Sequence, residues 1–135
     1  MESLISITLW NVVLLGALLL LQPLVRVIKT GLKYAISNFD ERISEGVFAR
    51  RLAMVRSNQV EALALWVPVV VIAAAVAPEF AHPHASLIAA VFLIARLAYA
   101  TVSLAGIPLF RSGAWIVGFA AWGYLTWIVM SAIAQ

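Results

Sequence analysis

The chain has 135 residues, of which 64% are hydrophobic and 11% charged, with a net charge of +3, a pI near 9.8 and a mean hydropathy of +1.04. Soluble domains carry about 25% charged residues, so this composition excludes a globule solvated on all sides by water, and its hydrophobicity excludes disorder. The lack of cysteine excludes disulfides, a protein thiolate nucleophile and cysteine metal sites, and in so apolar a chain the basic balance reads as membrane topology rather than nucleic-acid binding.

The length predicts one domain over residues 1–135. Four stretches, at about 4–25, 57–77, 86–105 and 112–134, approach or exceed the about 20 apolar residues that a bilayer core requires. They predict an all-α membrane protein, a bundle of four transmembrane helices. The apolar runs are too long for buried strands and lack the alternation of barrel strands. The first span opens on Glu2 with no Lys or Arg before it, and its apolar run exceeds that of a secretion signal. It is expected to remain as a helix.

The connection after the first span carries Arg26, Lys29, Lys33, Arg42, Arg50, Arg51 and Arg56. Its pattern predicts that the first helix extends to about Ser37, turns at Asn38–Asp40 and gives way to a helix resuming at or before Gly46. Asp40, Glu41, Arg42 and Glu45 read as a solvated loop. The connection at 78–85 has no Lys or Arg. Its Glu79, His82 and His84 are too few and too poorly preorganised to hold a metal, so no metal site is predicted. The third connection carries Arg111. Eight of the nine basic residues thus fall on one side, and the ninth, Arg96, lies inside a span. The positive-inside rule places both termini on the non-cytoplasmic side. Arginine outnumbers lysine seven to two; with the short loops, this points to a bacterial inner membrane.

Asn58, Gln59 and Glu61 open the second span, and Arg96, Tyr99 and Ser103 lie in the third. A charge at mid-bilayer costs about 2.5–3.5 kcal/mol on insertion scales, so Arg96 needs a partner. At 1.5 Å per residue, Glu61 lies about 24 Å and Arg96 about 16 Å from the same surface. The offset is within the combined reach of the two side chains, and a Glu61–Arg96 ion pair is expected. Arg51, Asn58 and Glu61 share one helical stripe; Arg96, Tyr99 and Ser103 share another. Together they predict a polar seam rimmed by Arg50, Arg56 and Arg111, suited to an anionic, partly polar ligand. Two readings stand at this point: a polar cluster that holds helices together, and a ligand site.

Pro68 interrupts the second span, removing the donor to the Ala64 carbonyl and predicting a kink. In the fourth span Ala114, Gly118 and Ala121 form a stripe of small residues beside Trp115, Phe119 and Trp122. Those aromatics read as packing or lipid-facing groups, with a wall for a hydrophobic substrate as the alternative. Trp127 reads as an interfacial anchor.

The stretch from Arg50-Arg51 through Arg56, Asn58 and Glu61 to Trp66 and Pro68 resembles the second-helix signature of the MAPEG family (membrane-associated proteins in eicosanoid and glutathione metabolism). Arg96, Tyr99, Ser103, Gly106, Pro108 and Arg111 resemble its third-helix signature. The resemblance covers about a third of the chain and is to a bacterial-type member. It implies a homotrimeric bundle embedded in membrane lipid, with glutathione as co-substrate between neighbouring subunits, acting as a transferase or peroxidase on lipophilic electrophiles. Mapped residue by residue, it implies that Arg111 stabilises the thiolate and that Asn58, Glu61, Arg96, Tyr99, Arg51 and, from the end of the first helix, Arg26 or Lys29 bind glutathione. Two positions depart from the family pattern: Met54 stands where an arginine is usual, and Ser103 where a tyrosine is usual. These departures favour the alternative, a non-catalytic subunit of the same fold that packs in a larger membrane complex or binds lipid.

Overall fold

The computed structural model describes residues 2–37, 46–76 and 84–134. The expected turn at Asn38–Asp40, the loop charges from Asp40 to Glu45, and Glu79 and His82 of the second connection lie outside the described residues. The elements are α1 (Glu2–Thr30), the single-turn α2 (Leu32–Ala35), α3 (Gly46–Val76), α4 (Ala85–Ala105) and α5 (Pro108–Ile133). The four long helices are each long and apolar enough to cross a membrane, as expected for the four-helix membrane bundle.

The boundaries differ from expectation mainly at the basic end. Helix α1 stops at Thr30 rather than near Ser37, because Gly31 adopts φ 83° and starts the short turn α2. That left-handed value is open to glycine and costly for other residues. Helix α3 begins at Gly46, where the sequence pattern places its resumption, three turns before its apolar run. Its extra turns carry Arg50, Arg51 and Arg56 on regular helix. Between α4 and α5 the chain reverses in two residues. Gly106, at φ 83°, ends α4 with backbone bonds to Val102 and Ser103, and Pro108 opens α5. This left-handed glycine followed by an N-terminal proline is a compact helix stop and start.

The outward faces are mostly apolar: Leu20 is 75% exposed and Ile94 65%. In water this surface would be untenable; against lipid it is the expected one. Inside, the bundle holds two apolar clusters. One contains Leu4, Trp66, Val70, Phe92, Leu125 and Ile128. The other, toward the basic end, contains Leu18, Leu52, Val55, Tyr99 and Ala100. Between them lies a buried polar belt of Asn11, Gln59 and Arg96, each no more than 3% exposed.

Trp66 is fully buried, stacks on Phe92 with ring centroids 4.0 Å apart, and donates its indole N–H to Thr8 Oγ at 2.9 Å. The polar tip of a large buried aromatic is thereby satisfied. Pro68 sits inside α3. One residue beyond the carbonyl it deprives of a donor, the Leu65 carbonyl accepts the Trp122 indole N–H at 3.1 Å. The loosened backbone is thus tied to α5 by a side chain.

Candidate functional site

Arg96 projects from the middle of α4 into the polar belt. Its Nε donates to Gln59 Oε1 at 3.0 Å, and a second guanidinium nitrogen donates to Asn58 Oδ1. Gln59 in turn donates to the Asn11 carbonyl of α1 at 3.2 Å. The chain Asn11–Gln59–Arg96–Asn58 therefore links three helices. The Tyr99 ring lies under the guanidinium, 4.8 Å from Cζ to centroid, a cation–π contact. Arg96 is thus held by neutral amide oxygens and a ring face. The expected direct ion pair with Glu61 gives way to this amide cradle. The Glu61 carboxylate accepts from Ser57 Oγ at 3.3 Å on the exposed side of α3.

Glu61 and Arg96 nevertheless share a wall. With Asn58 and the aromatic side chains Trp115, Phe119 and Trp122 they line a cleft of about 100 Å³ among α3, α4 and α5. Arginine only donates, so the bond from Arg96 engages the Asn58 carbonyl oxygen and leaves the amide N–H₂ as the donor available to the cleft. Trp115 and Phe119 are stacked at 5.2 Å, and Phe119 and Trp122 lie at 5.1 Å. The aromatic stripe of α5 is therefore a wall of this cleft, and Gly118 lies against the Arg96 stem, where a Cβ would sit 3.7 Å from Cδ. The cleft offers a carboxylate, an amide donor and a flat apolar wall, a set suited to a polar ligand with an ammonium and an apolar appendage.

A second pocket, of about 190 Å³, lies at the basic end and is lined by Arg51, Met54, Ser103, Gly106, Pro108 and Arg111. On α3 the nearest lining residues of the two cavities are Met54 and Asn58, and on α5 Arg111 and Trp115, four residues apart in each case. The facing rims of the two cavities therefore lie about 6 Å apart along the helices. Arg51 donates to the Leu104 carbonyl at 3.1 Å, capping the end of α4, and its guanidinium lies where a Cβ on Gly106 would stand. Arg111 donates to Met54 Sδ at 3.5 Å. The Ser103 hydroxyl is buried and unpartnered.

The residues singled out in the sequence thus divide. Asn58, Glu61 and Arg96 meet at the cleft, while Arg51 and Arg111 meet at the basic-end pocket. Tyr99 is 6% exposed and packs in the core beneath Arg96. Arg26 is half-buried near the end of α1 and lines neither cavity. Sequence reasoning missed Gln59 as a partner of the buried charge, and the Asn11 backbone carbonyl that Gln59 engages behind it. The available signal was a glutamine beside Asn58 in an otherwise apolar span, which costs free energy unless it is bonded. Among the described residues, no three His, Cys, Asp or Glu side chains converge.

Residues 7–131 match the model of the MAPEG family. Neither the curated proteins nor the solved structures contain a match to the chain.

Proposed function

Because the chain belongs to the MAPEG family, we propose that this multi-pass integral membrane protein is a glutathione-dependent transferase or peroxidase acting on lipophilic electrophiles. The observation that carries this reading is the juxtaposition of Asn58, Glu61 and Arg96 at one cleft with the Arg111 pocket one helical turn away. Glutathione has an ammonium, two carboxylates, two peptide groups and a thiol. Glu61 takes the ammonium, and the Asn58 amide donates to a peptide carbonyl or carboxylate. Arg96 holds Asn58 in that orientation, with Tyr99 beneath it. Arg51 and Arg26 attract the carboxylates. Arg111 lies near the thiol and favours the thiolate, since a neighbouring cation lowers a thiol pKa and arginine keeps its own proton. The thiolate sulfur then attacks a substrate delivered from the lipid along the aromatic wall. With an electrophilic carbon it forms a thioether as the leaving group departs. With a hydroperoxide it breaks the O–O bond, releasing an alcohol and leaving a glutathione sulfenic acid that a second glutathione converts to the disulfide and water.

Small-molecule sites generally enclose about 300–1,000 Å³, more than either of these two cavities provides. Glu61, Trp115 and Phe119 are exposed at the cleft mouth. A homotrimer in which a neighbouring subunit closes the site accounts for both features. By the charge asymmetry, the basic end faces the cytoplasm of a bacterial inner membrane, where glutathione is supplied.

A second reading rests on Met54, whose sulfur already engages Arg111: a non-catalytic subunit that keeps the fold for packing or lipid binding. Equilibrium binding of millimolar glutathione to detergent-purified protein, with subunit mass measured alongside, separates the two. The enzymatic reading expects a trimer that binds glutathione, with binding weakened by Glu61→Gln and Arg111→Ala. A monomer, or a protein with no glutathione binding, supports the second.

A further inference from the structure

Among the described residues, the pocket at the basic end is lined by two guanidinium groups and no carboxylate. Two like charges facing one small cavity at the end of an apolar bundle repel each other unless an anion lies between them. Their present partners leave donors unused. Arg51 spends a donor on the Leu104 carbonyl, and Arg111 spends one on a thioether, a weak acceptor. Each guanidinium has five N–H groups.

Ser103 provides an independent observation. It is 3% exposed, lines this pocket, and its hydroxyl has no hydrogen-bond partner. A buried hydroxyl without a partner is uncommon in folded proteins and calls for a ligand or a bound water. The pocket also receives the first turn of α5, whose N-terminal end carries partial positive charge. Two planar forks, a hydroxyl and a helix N-terminus form a site for a multi-oxygen anion, which arginine binds bidentately.

The surroundings identify the source of that anion. Leu109 and Phe110, immediately after Pro108, are 79% and 67% exposed, and Ile107 is 44% exposed. Large apolar side chains at this level need hydrocarbon around them, so the pocket mouth lies where acyl chains meet headgroups. Basic pockets between transmembrane helices at that depth suit anionic headgroups. The geometry points to the Arg51–Ser103–Arg111 pocket as a binding site for the phosphate headgroup of an anionic phospholipid, with Ile107, Leu109 and Phe110 against its acyl chains. This site goes beyond the glutathione reading and does not depend on it, although Arg51 and Arg111 serve both.

The test uses the full chain in nanodiscs and micelles without glutathione, with dioleoyl-phosphatidylglycerol as the probe. Dioleoyl-phosphatidylcholine and inorganic phosphate serve as comparisons. Native mass spectrometry should show phosphatidylglycerol retained in preference to phosphatidylcholine. Arg111→Gln should weaken that retention on the order of tenfold, the loss of one charge-assisted hydrogen bond, and Arg111→Lys should recover part of it. Ser103→Ala should weaken phosphatidylglycerol binding while keeping or raising the thermal midpoint, because it removes an unsatisfied buried hydroxyl. A serine serving only the fold would lower the midpoint instead. Arg50→Gln, at an exposed arginine outside the pocket, should retain the lipid. Equal retention of both lipids overturns the assignment, as does unchanged phosphatidylglycerol affinity in both Arg111→Gln and Ser103→Ala. Displacement of the lipid by inorganic phosphate at equal affinity assigns the pocket to a free anion and overturns the lipid source. Since glutathione is absent throughout, none of these outcomes bears on whether the protein binds it.

Discussion

Arg96 and Gln59 meet across two helices, Nε to Oε1 at 3.0 Å, in a layer with almost no access to solvent or lipid. The amide oxygen accepts from the guanidinium while the amide nitrogen donates to the Asn11 carbonyl, so Gln59 spends both ends on the belt. Gln59→Leu should leave a buried guanidinium donor unpaired and remove the second bond to the Asn11 carbonyl, at a cost of about 1–3 kcal/mol. It should also loosen Arg96 and with it the orientation of Asn58. Thermal unfolding in detergent should show a lowered midpoint. Gln59→Glu restores an acceptor for Arg96 but not the donor to Asn11, so its midpoint should lie between those of the wild type and Gln59→Leu. A Gln59→Leu midpoint equal to the wild type would mean that the belt contributes nothing to stability.

The spans and the anomaly of Arg96 were legible in the sequence because both follow from hydropathy along one dimension. The partner of Arg96 was not. Axial arithmetic gives depth, and at the right depth Glu61 is the acid. Azimuth decides contact, and Gln59 lies about 200° around the helix from Glu61. Once Asn58 and Gln59 straddle the direction of α4, Glu61 turns to the exposed side. Similarly, Arg51, Asn58 and Glu61 share a stripe in projection, but Arg51 lies nearly two turns lower and its long side chain reaches the end of α4 instead. The reversal at Gly106 and Pro108 was foreshadowed by residue type; the use of Arg51 to cap it was not, since that contact depends on the packing of two distant segments.

Gly106 and Arg51 make a sensitive pair. Gly106 is left-handed at φ 83°, and a Cβ there would run into the Arg51 guanidinium. Gly106→Ala should therefore incur backbone strain of about 1–2 kcal/mol and also displace Arg51 from the Leu104 carbonyl. The expected sum is about 2 kcal/mol or more, read as a lowered unfolding midpoint. Arg51→Ala should remove the cap alone and make a subsequent Gly106→Ala less costly, a coupling that a double-mutant cycle measures. Strict additivity would indicate that the two residues do not interact.

Trp66 tests whether the polar tip matters beside the ring. Trp66→Phe keeps an aromatic partner for Phe92 but strands the buried Thr8 hydroxyl. A loss of about 1 kcal/mol is expected, recovered in part when Thr8→Val removes the stranded group. Trp66→Ala should cost more, about 3–5 kcal/mol, through the cavity it leaves. Equal midpoints for Trp66→Phe and Trp66→Ala would assign all of the stabilisation to the indole bond.

Met54 faces Arg111 where the family pattern has an arginine. Met54→Arg would add a third guanidinium to a pocket that already has two. Without an anion the added charge is uncompensated, and the unfolding midpoint should fall. If glutathione occupies the seam, its carboxylates offset that charge, so millimolar glutathione should raise the midpoint more in Met54→Arg than in the wild type. Ligand-linked stabilisation grows as RT ln(1 + [L]/Kd), so a tenfold gain in affinity appears as about 1.4 kcal/mol at saturating ligand. The sign of the ligand effect is what discriminates. A midpoint lowered by Met54→Arg and left unmoved by glutathione in both proteins means that the pocket repels a third cation for electrostatic reasons alone, and the non-catalytic reading then gains its strongest support.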